Sequence, residues 1–297
     1  MYNLIGPYLV PSIITFGLSF IVLLAGSITD LKTREVPDWV NYGLISSGIG
    51  LNLLFSIIYQ TPSFIINSLI GLLIFFGIAY IMFYAGQWGG GDSKMIMGLG
   101  AMIGINVSSF SSEFLLGFFI NVLFAGALYG LLWSFYLAYK NRRKFKSEFK
   151  KVLSHSKTEK IKWIILALTV FLIISFFIVR TNYIKILILS LAFLILTTFY
   201  LWVFVRAIEK SSMYKLVEPS KLTEGDWIVK DIVVNKEYIT GPKDLGIEKG
   251  QINKLVALYK KKKVGKILIK EGIPFVPSFL IAFIITFWLG NPVMWLI

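Results

Sequence analysis

Residues 64–85 read FIINSLIGLLIFFGIAYIMFYA, 22 positions without one charged side chain. A helix rises about 1.5 Å per residue, so roughly 20 such residues cross the hydrocarbon core of a bilayer. Comparable apolar runs occupy Pro11 to Ser27, Phe114 to Ala138, Ile164 to Val179 and Phe275 to Ile297. Over the whole chain of 297 residues, 56% of positions are apolar and only 15% carry charge, against about a quarter in soluble domains, which excludes a single water-soluble core. Lipid offers backbone groups no hydrogen-bond partner, and no run alternates with period two, so the spans are helices and not barrel strands. The fold class is therefore all-α, a polytopic membrane helical bundle. The runs predict about eight spans, near 9–29, 40–59, 64–86, 93–110, 114–139, 163–179, 184–205 and 275–297.

The charged residues orient this bundle. With the N-terminus outside, 28 of the 30 Lys and Arg residues fall in the connections 30–38, 89–94, 140–162 and 206–274, and only Arg180 and Lys185 fall on the other side. Cytoplasmic loops carry such an excess, which places these connections inside the cell. The net charge of +14 then follows from topology. The runs Lys140–Lys146 and Lys260–Lys263 sit beside helix ends, where anionic lipid headgroups are the expected partners; without interleaved aromatics they do not read as nucleic-acid sites. Met1 to Val10 holds no basic residue and no small-residue cleavage pattern follows, so the first helix is expected to be retained. Cysteine is absent, which excludes a disulfide framework and a thiol nucleophile, and the lone His155 lies in a polar stretch.

Five segments follow: a transmembrane core over 1–139, a basic cytoplasmic loop over 140–162, an additional helix pair over 163–206, a small cytoplasmic α+β insertion over 207–274, and a last transmembrane helix over 275–297. Within the insertion, Trp227–Val234 and Tyr238–Thr240 read as strands, and about Glu248 to Lys262 as a helix.

Two carboxylates bear on chemistry. Asp30 closes the first span in Thr29-Asp30-Leu31-Lys32-Thr33-Arg34-Glu35, and Asp92 opens the fourth in Gly89-Gly90-Gly91-Asp92-Ser93-Lys94. Two crossings separate them, so both return to one membrane face. Carboxyls at contact distance cannot both ionise cheaply; one keeps a proton while the other takes a proton from water, the arrangement of aspartic proteases. Each residue also has a structural reading. Asp92 and Asp38 suit helix N-termini, the Gly89–Gly91 triplet suits a turn, Glu35 suits a solvated face, and Lys94 is one more cytoplasmic cation. In the functional reading the glycines admit a substrate strand, Lys94 stabilises a carboxylate or holds a substrate carbonyl, and Glu35 and Asp38 contact a basic substrate.

At these residues the chain resembles the type IV prepilin peptidase and preflagellin peptidase family, whose GxGD signature is matched by Gly89-Gly90-Gly91-Asp92, followed by a matching Lys94. The family's other catalytic aspartate corresponds to Asp30 in Asp30-Leu31-Lys32-Thr33-Arg34-Glu35. Glu271-Gly272-Ile273-Pro274-Phe275-Val276-Pro277 looks like the entry to the last helix of archaeal members. The resemblance implies an intramembrane aspartic endopeptidase that removes short basic signal peptides from pilin-like or flagellin-like precursors at the cytoplasmic face, with no cofactor and no metal. The chain departs from the bacterial branch in lacking its paired cysteines, so methyltransferase activity is not expected. It departs from the shorter preflagellin enzymes in the added helix pair and insertion. Competing readings are a presenilin-like or signal-peptide-peptidase-like GxGD protease, which would need a Tyr-Asp pair where Thr29-Asp30 stands, an ion-coupled transporter, and a non-catalytic assembly scaffold.

Overall fold

A computed structural model describes residues 8–107 and 114–291. The chain divides into two units, one formed by residues 1–132 and 272–297, the other by 133–271.

The first unit contains α1 (Leu9–Thr33), α2 (Asp38–Ile58), α3 (Ser63–Tyr84), α4 (Gly90–Ile103), most of α5 (Phe114–Lys140) and α10 (Val276–Leu289). Helices in lipid gain nothing from hiding apolar surface from one another, so close association needs small residues and polar bonds. Both are present around α4. A Cβ on Gly48 of α2 would stand 2.7 Å from the Met102 nitrogen, and one on Gly98 would meet the Leu44 side chain at the same distance. Gly71 of α3 and Gly100 of α4 pass so closely that neither tolerates a side chain. Asn52 Nδ2 donates to the carbonyls of Ala101 (3.2 Å) and Met102 (3.1 Å), and Ser68 Oγ donates to the Ala101 carbonyl at 2.6 Å. On the other side, Asn121 Nδ2 of α5 donates to Thr286 Oγ1 of α10 at 2.9 Å. Leu99, Met95, Phe118, Phe279 and Leu23 fill the centre, all fully buried.

Among the described residues, six helices are long and apolar enough to cross a membrane: α1, α2, α3, α5, α7 and α8. The chain is a multi-pass membrane protein. The expected span at 93–110 differs: α4 has 14 residues and stops at Gly104, whose φ of +76° suits glycine, after which the Ile105 N–H turns aside to the Asn67 carbonyl. Residues 108–110 of that expected span and 292–297 of the last lie outside the described residues.

The second unit holds the end of α5, then α6 (Arg142–Leu153), α7 (Ser156–Ile178), α8 (Asn182–Ile208) and the insertion. The stretch 140–162, expected as a loop, is mostly helix. Phe145, Phe149 and Val152 recur on one face of α6, where Phe145 meets Phe204 of α8 and Val152 clusters with Phe199 and Val203. In the insertion, β1 (Tyr214–Val217) and β2 (Trp227–Ile228) both pair antiparallel with β5 (Ile267–Lys270). The hairpin of β3 (Ile232–Val234) and β4 (Glu237–Thr240) turns at Asn235 and Lys236, both left-handed as such tight turns require. Helix α9 (Lys249–Lys260) supplies Leu255 to a small core with Ile228, Ile239, Ile267 and Ile269. The expected strand 227–234 is thus two strands, and β1 and β5 were not foreseen.

Candidate active site

Asp30 lies in the last turn of α1, only 5% exposed. A buried carboxyl needs hydrogen-bond donors, and this one takes its donor from far along the chain: the Val276 N–H, at the start of α10, donates to Asp30 Oδ2 at 2.9 Å. Free N–H groups and the positive end of the helix dipole make such a start a natural partner for an acid. Pro277, in the first turn of α10, fixes the backbone there, while Phe275 packs against Trp88, buried just before the glycine triplet. One turn beyond Asp30, Arg34 caps α1 with a left-handed φ of 64°, and its charge acts on Asp30.

Asp92 occupies the first turn of α4, partly exposed, and its Oδ2 accepts the Gly89 N–H at 3.0 Å. This is the acidic half of a capping box, so the capping reading of Asp92 holds alongside any chemical one. Asp30 lies near enough to Asp92 for its charge to act on that carboxyl. Neighbours from α1, the 34–37 connection, α4, α5 and α10 converge here. Met95 of α4 and Val276 of α10 both pack against Gly26 of α1, one turn before Asp30.

The glycine triplet divides its labour. Gly91 lies against the backbone and side chain of buried Val36 in the connection between α1 and α2, with a would-be Cβ 3.6 Å from Val36 Cβ. Around Gly90 there is open space, and Gly89 holds the donor to Asp92. Of the remaining candidates, Lys94 and Asp38 are joined to each other: Nζ meets Oδ1 at 2.6 Å, and the ammonium lies 5.1 Å from the Tyr42 ring centre. Asp38 is the first helical residue of α2, behind Pro37 at the cap position that the sequence reading gives to Asp38, and Glu35 is exposed. Reading by motif missed the donor from α10, because a backbone N–H has no sequence signature.

Residues 17–131 match the model of the type IV leader peptidase family. A preflagellin peptidase of Methanocaldococcus jannaschii is 41% identical over 90 residues, 30% of this chain and 38% of that protein. One of Methanococcus voltae is 34% identical over 138 residues, 43% of this chain and 58% of that protein. A prepilin peptidase of Methanothermobacter thermautotrophicus is 26% identical over 195 residues, 60% of this chain and 50% of that protein. The matched segments thus span between 38% and 58% of the length of these curated relatives. No solved structure matches. Residues 17–131, the segment that carries both Asp30 and Asp92, are this chain's match to the type IV leader peptidase family.

Proposed function

We propose that this protein is a membrane-embedded aspartic endopeptidase that removes leader peptides from pilin-like or flagellin-like precursors. The observation that carries the reading is that Asp30 and Asp92, on separate helices, lie within electrostatic reach of each other inside the segment that matches a leader peptidase family. In this mechanism one carboxylate takes a proton from water as the water attacks the scissile carbonyl. The protonated partner donates to the carbonyl oxygen; as the C–N bond breaks, the first carboxyl gives the proton it took from water to the departing amine, and the partner takes its own proton back from the tetrahedral diol. The Val276 and Gly89 amides hold one oxygen of each carboxyl, leaving the dyad oriented between two helix starts. Neither metal nor cofactor takes part.

The cut falls at the cytoplasmic face, with the N-terminus outside. Open space at Gly90 admits the extended precursor, and exposed Glu35 meets its basic leader, while Asp38 and Lys94 act mainly on each other. Residues 1–139 supply the catalytic core, and anionic lipid headgroups lie against the exposed basic face of α6. The decisive experiment incubates the purified protein in detergent with candidate precursors and sequences the new N-termini. A single new N-terminus ahead of the precursor's hydrophobic segment, absent with Asp92→Asn, is the expected result; equal cleavage by Asp92→Asn would overturn the reading. Single cysteines placed in this cysteine-free chain test the topology. Labelling of position 146 by an impermeant thiol reagent outside intact cells would reverse it.

A further inference from the structure

Two asparagines lie on one face of α2 and fare differently. Three helical turns separate Asn41 from Asn52, so both point at α4, as do Leu44 and Gly48 between them. The Asn52 amide donates to the Gly48, Ala101 and Met102 carbonyls. Asn41 is wholly buried, and among the described residues neither its Nδ2 nor its Oδ1 has a hydrogen-bond partner. The serines repeat the contrast. Ser68 Oγ donates to the Ala101 carbonyl near the end of α4, whereas Ser93, at its start, is buried with an unpartnered Oγ. The usual resort of a helical serine, a bond to the carbonyl one turn back such as Ser27 makes to Leu23, is not taken by Ser93.

Buried polar groups are almost always bonded, because an unbonded one loses the hydrogen bonds that water would give it. The packing at the start of α4 therefore carries a cost that the packing at its end does not. The costly stretch is bounded on both sides. Beyond Asn41 the helices are locked together, since a Cβ on Gly98 would stand 2.7 Å from the Leu44 side chain. One turn before Asn41, Asp38 and Lys94 pair at 2.6 Å and are both in reach of solvent. An orphaned carboxamide thus lies about 5 Å along the helix from a solvated ion pair.

We propose that the start of α4 is an opening point built into the first unit. It moves off α2 as far as the Leu44–Gly98 contact, with the Asp38–Lys94 pair as its latch, and in the open form Asn41 and Ser93 hydrogen-bond to water. Asp92 rides on the moving segment, so the opening also admits water and an extended peptide to that carboxyl. This last consequence alone rests on the peptidase reading above.

Amide hydrogen exchange of the full chain in detergent, with thermal unfolding alongside, tests the opening without any substrate. An apolar side chain at position 41 removes the cost of the closed form. In Asn41→Leu the amides of residues 42–45 and 94–97 should exchange about 10- to 100-fold more slowly, the range set by one or two orphaned polar groups, with Tm at or above that of wild type. Asn41→Ala adds no volume and should shift exchange in the same direction, which guards against overfilling the site. The same two substitutions at Asn52 remove bonds that exist and should lower Tm. Asp38→Asn frees the latch and should speed exchange up to about fivefold, an effect that high salt erases. Unchanged or faster exchange in both Asn41 variants, or Tm losses equal to those at Asn52, would overturn the inference. If wild type leaves every precursor uncut while Asn41→Leu slows exchange, the peptidase reading falls and the opening stands; if wild type cuts and exchange does not respond, only the opening falls.

Discussion

Helices α2, α3 and α4 and the pair α7 and α8 are all strongly apolar, yet they are held by different means. Around α4, backbones approach within the reach of a single methyl group, and Asn52 and Ser68 donate across helices to carbonyls at its end. Helix α7 has only Thr158 and Thr169 buried along its 23 residues, and Ile173, Ile174, Phe177 and Ile178 are exposed. In a membrane both arrangements are stable, since lipid accepts apolar side chains as readily as a neighbouring helix does. What close packing adds is position. In the proposed mechanism a carboxyl pair drawn from α1 and α4 tolerates little displacement, because a misplacement of about 1 Å can cost a hundredfold in rate. The tightly packed unit is the one that holds the aspartates.

The largest expected effect tests whether that rigidity serves chemistry. Asp30→Asn and Asp92→Asn should each lower the proposed cleavage by about 10²–10⁴, and the double variant should be scarcely worse than either single one. Asn keeps the size of Asp but cannot take a proton from water. Kinetics on a confirmed precursor check this. Additive losses would mean two independent helpers and no dyad.

Next come the close approaches. Gly48→Leu and Gly100→Val place carbon against backbone atoms of a neighbouring helix and should destabilise the first unit by about 1–3 kcal/mol, seen as a lower Tm in detergent. Gly77→Ala, on α3 with nothing within 4 Å, and Ile173→Ala on the exposed face of α7 should lie within about 0.5 kcal/mol of wild type. Equal losses in both sets would erase the contrast between the units. A smaller loss is expected of Asn52→Leu, which removes the donor to the Ala101 and Met102 carbonyls. Interhelical bonds of this kind are worth about 0.6–2 kcal/mol, and thermal unfolding measures it.

The same contrast explains what was legible in the sequence. Long apolar runs located the six full-length spans among the described residues, and a Gly-rich turn ahead of an acid, two crossings after Asp30, singled out Asp92. Hydropathy could not see where α4 stops, because Ile105 and Val107 continue the apolar run after Gly104 has turned the backbone. Helix α6 was hidden because Phe145, Phe149 and Val152 are scattered among cations whose charge dominates any average. Strands β1 and β5 have four residues each and find each other across some fifty positions, so neither announces itself locally. The Val276 donor is invisible for a plainer reason: Glu271–Pro277 stood out as the entry to a helix, but nothing in a sequence aims one backbone amide at a carboxyl 246 positions away.

The smallest effect concerns the ion pair at the rim of the site. Lys94 and Asp38 are both partly exposed, with side-chain exposures of 31% and 63%, and meet at 2.6 Å. Exposed pairs of this kind contribute about 0–1 kcal/mol, because water and salt screen the attraction and two long side chains lose freedom. Asp38→Asn and Lys94→Met should therefore each shift stability by less than about 1 kcal/mol, with a double-mutant coupling of a few tenths. The pair nevertheless ties the start of α2 to the first turn of α4, two residues from Asp92. If Lys94 served the chemistry directly, as a contact to a substrate carbonyl, Lys94→Met would lower kcat sharply while Asp38→Asn, which frees the ammonium, would not. If the two act only as a tether, both variants should keep most of the activity and lose the same small amount, less so in high salt. Parallel kinetics of the two single variants separate these cases, and equal, modest losses are the expected result.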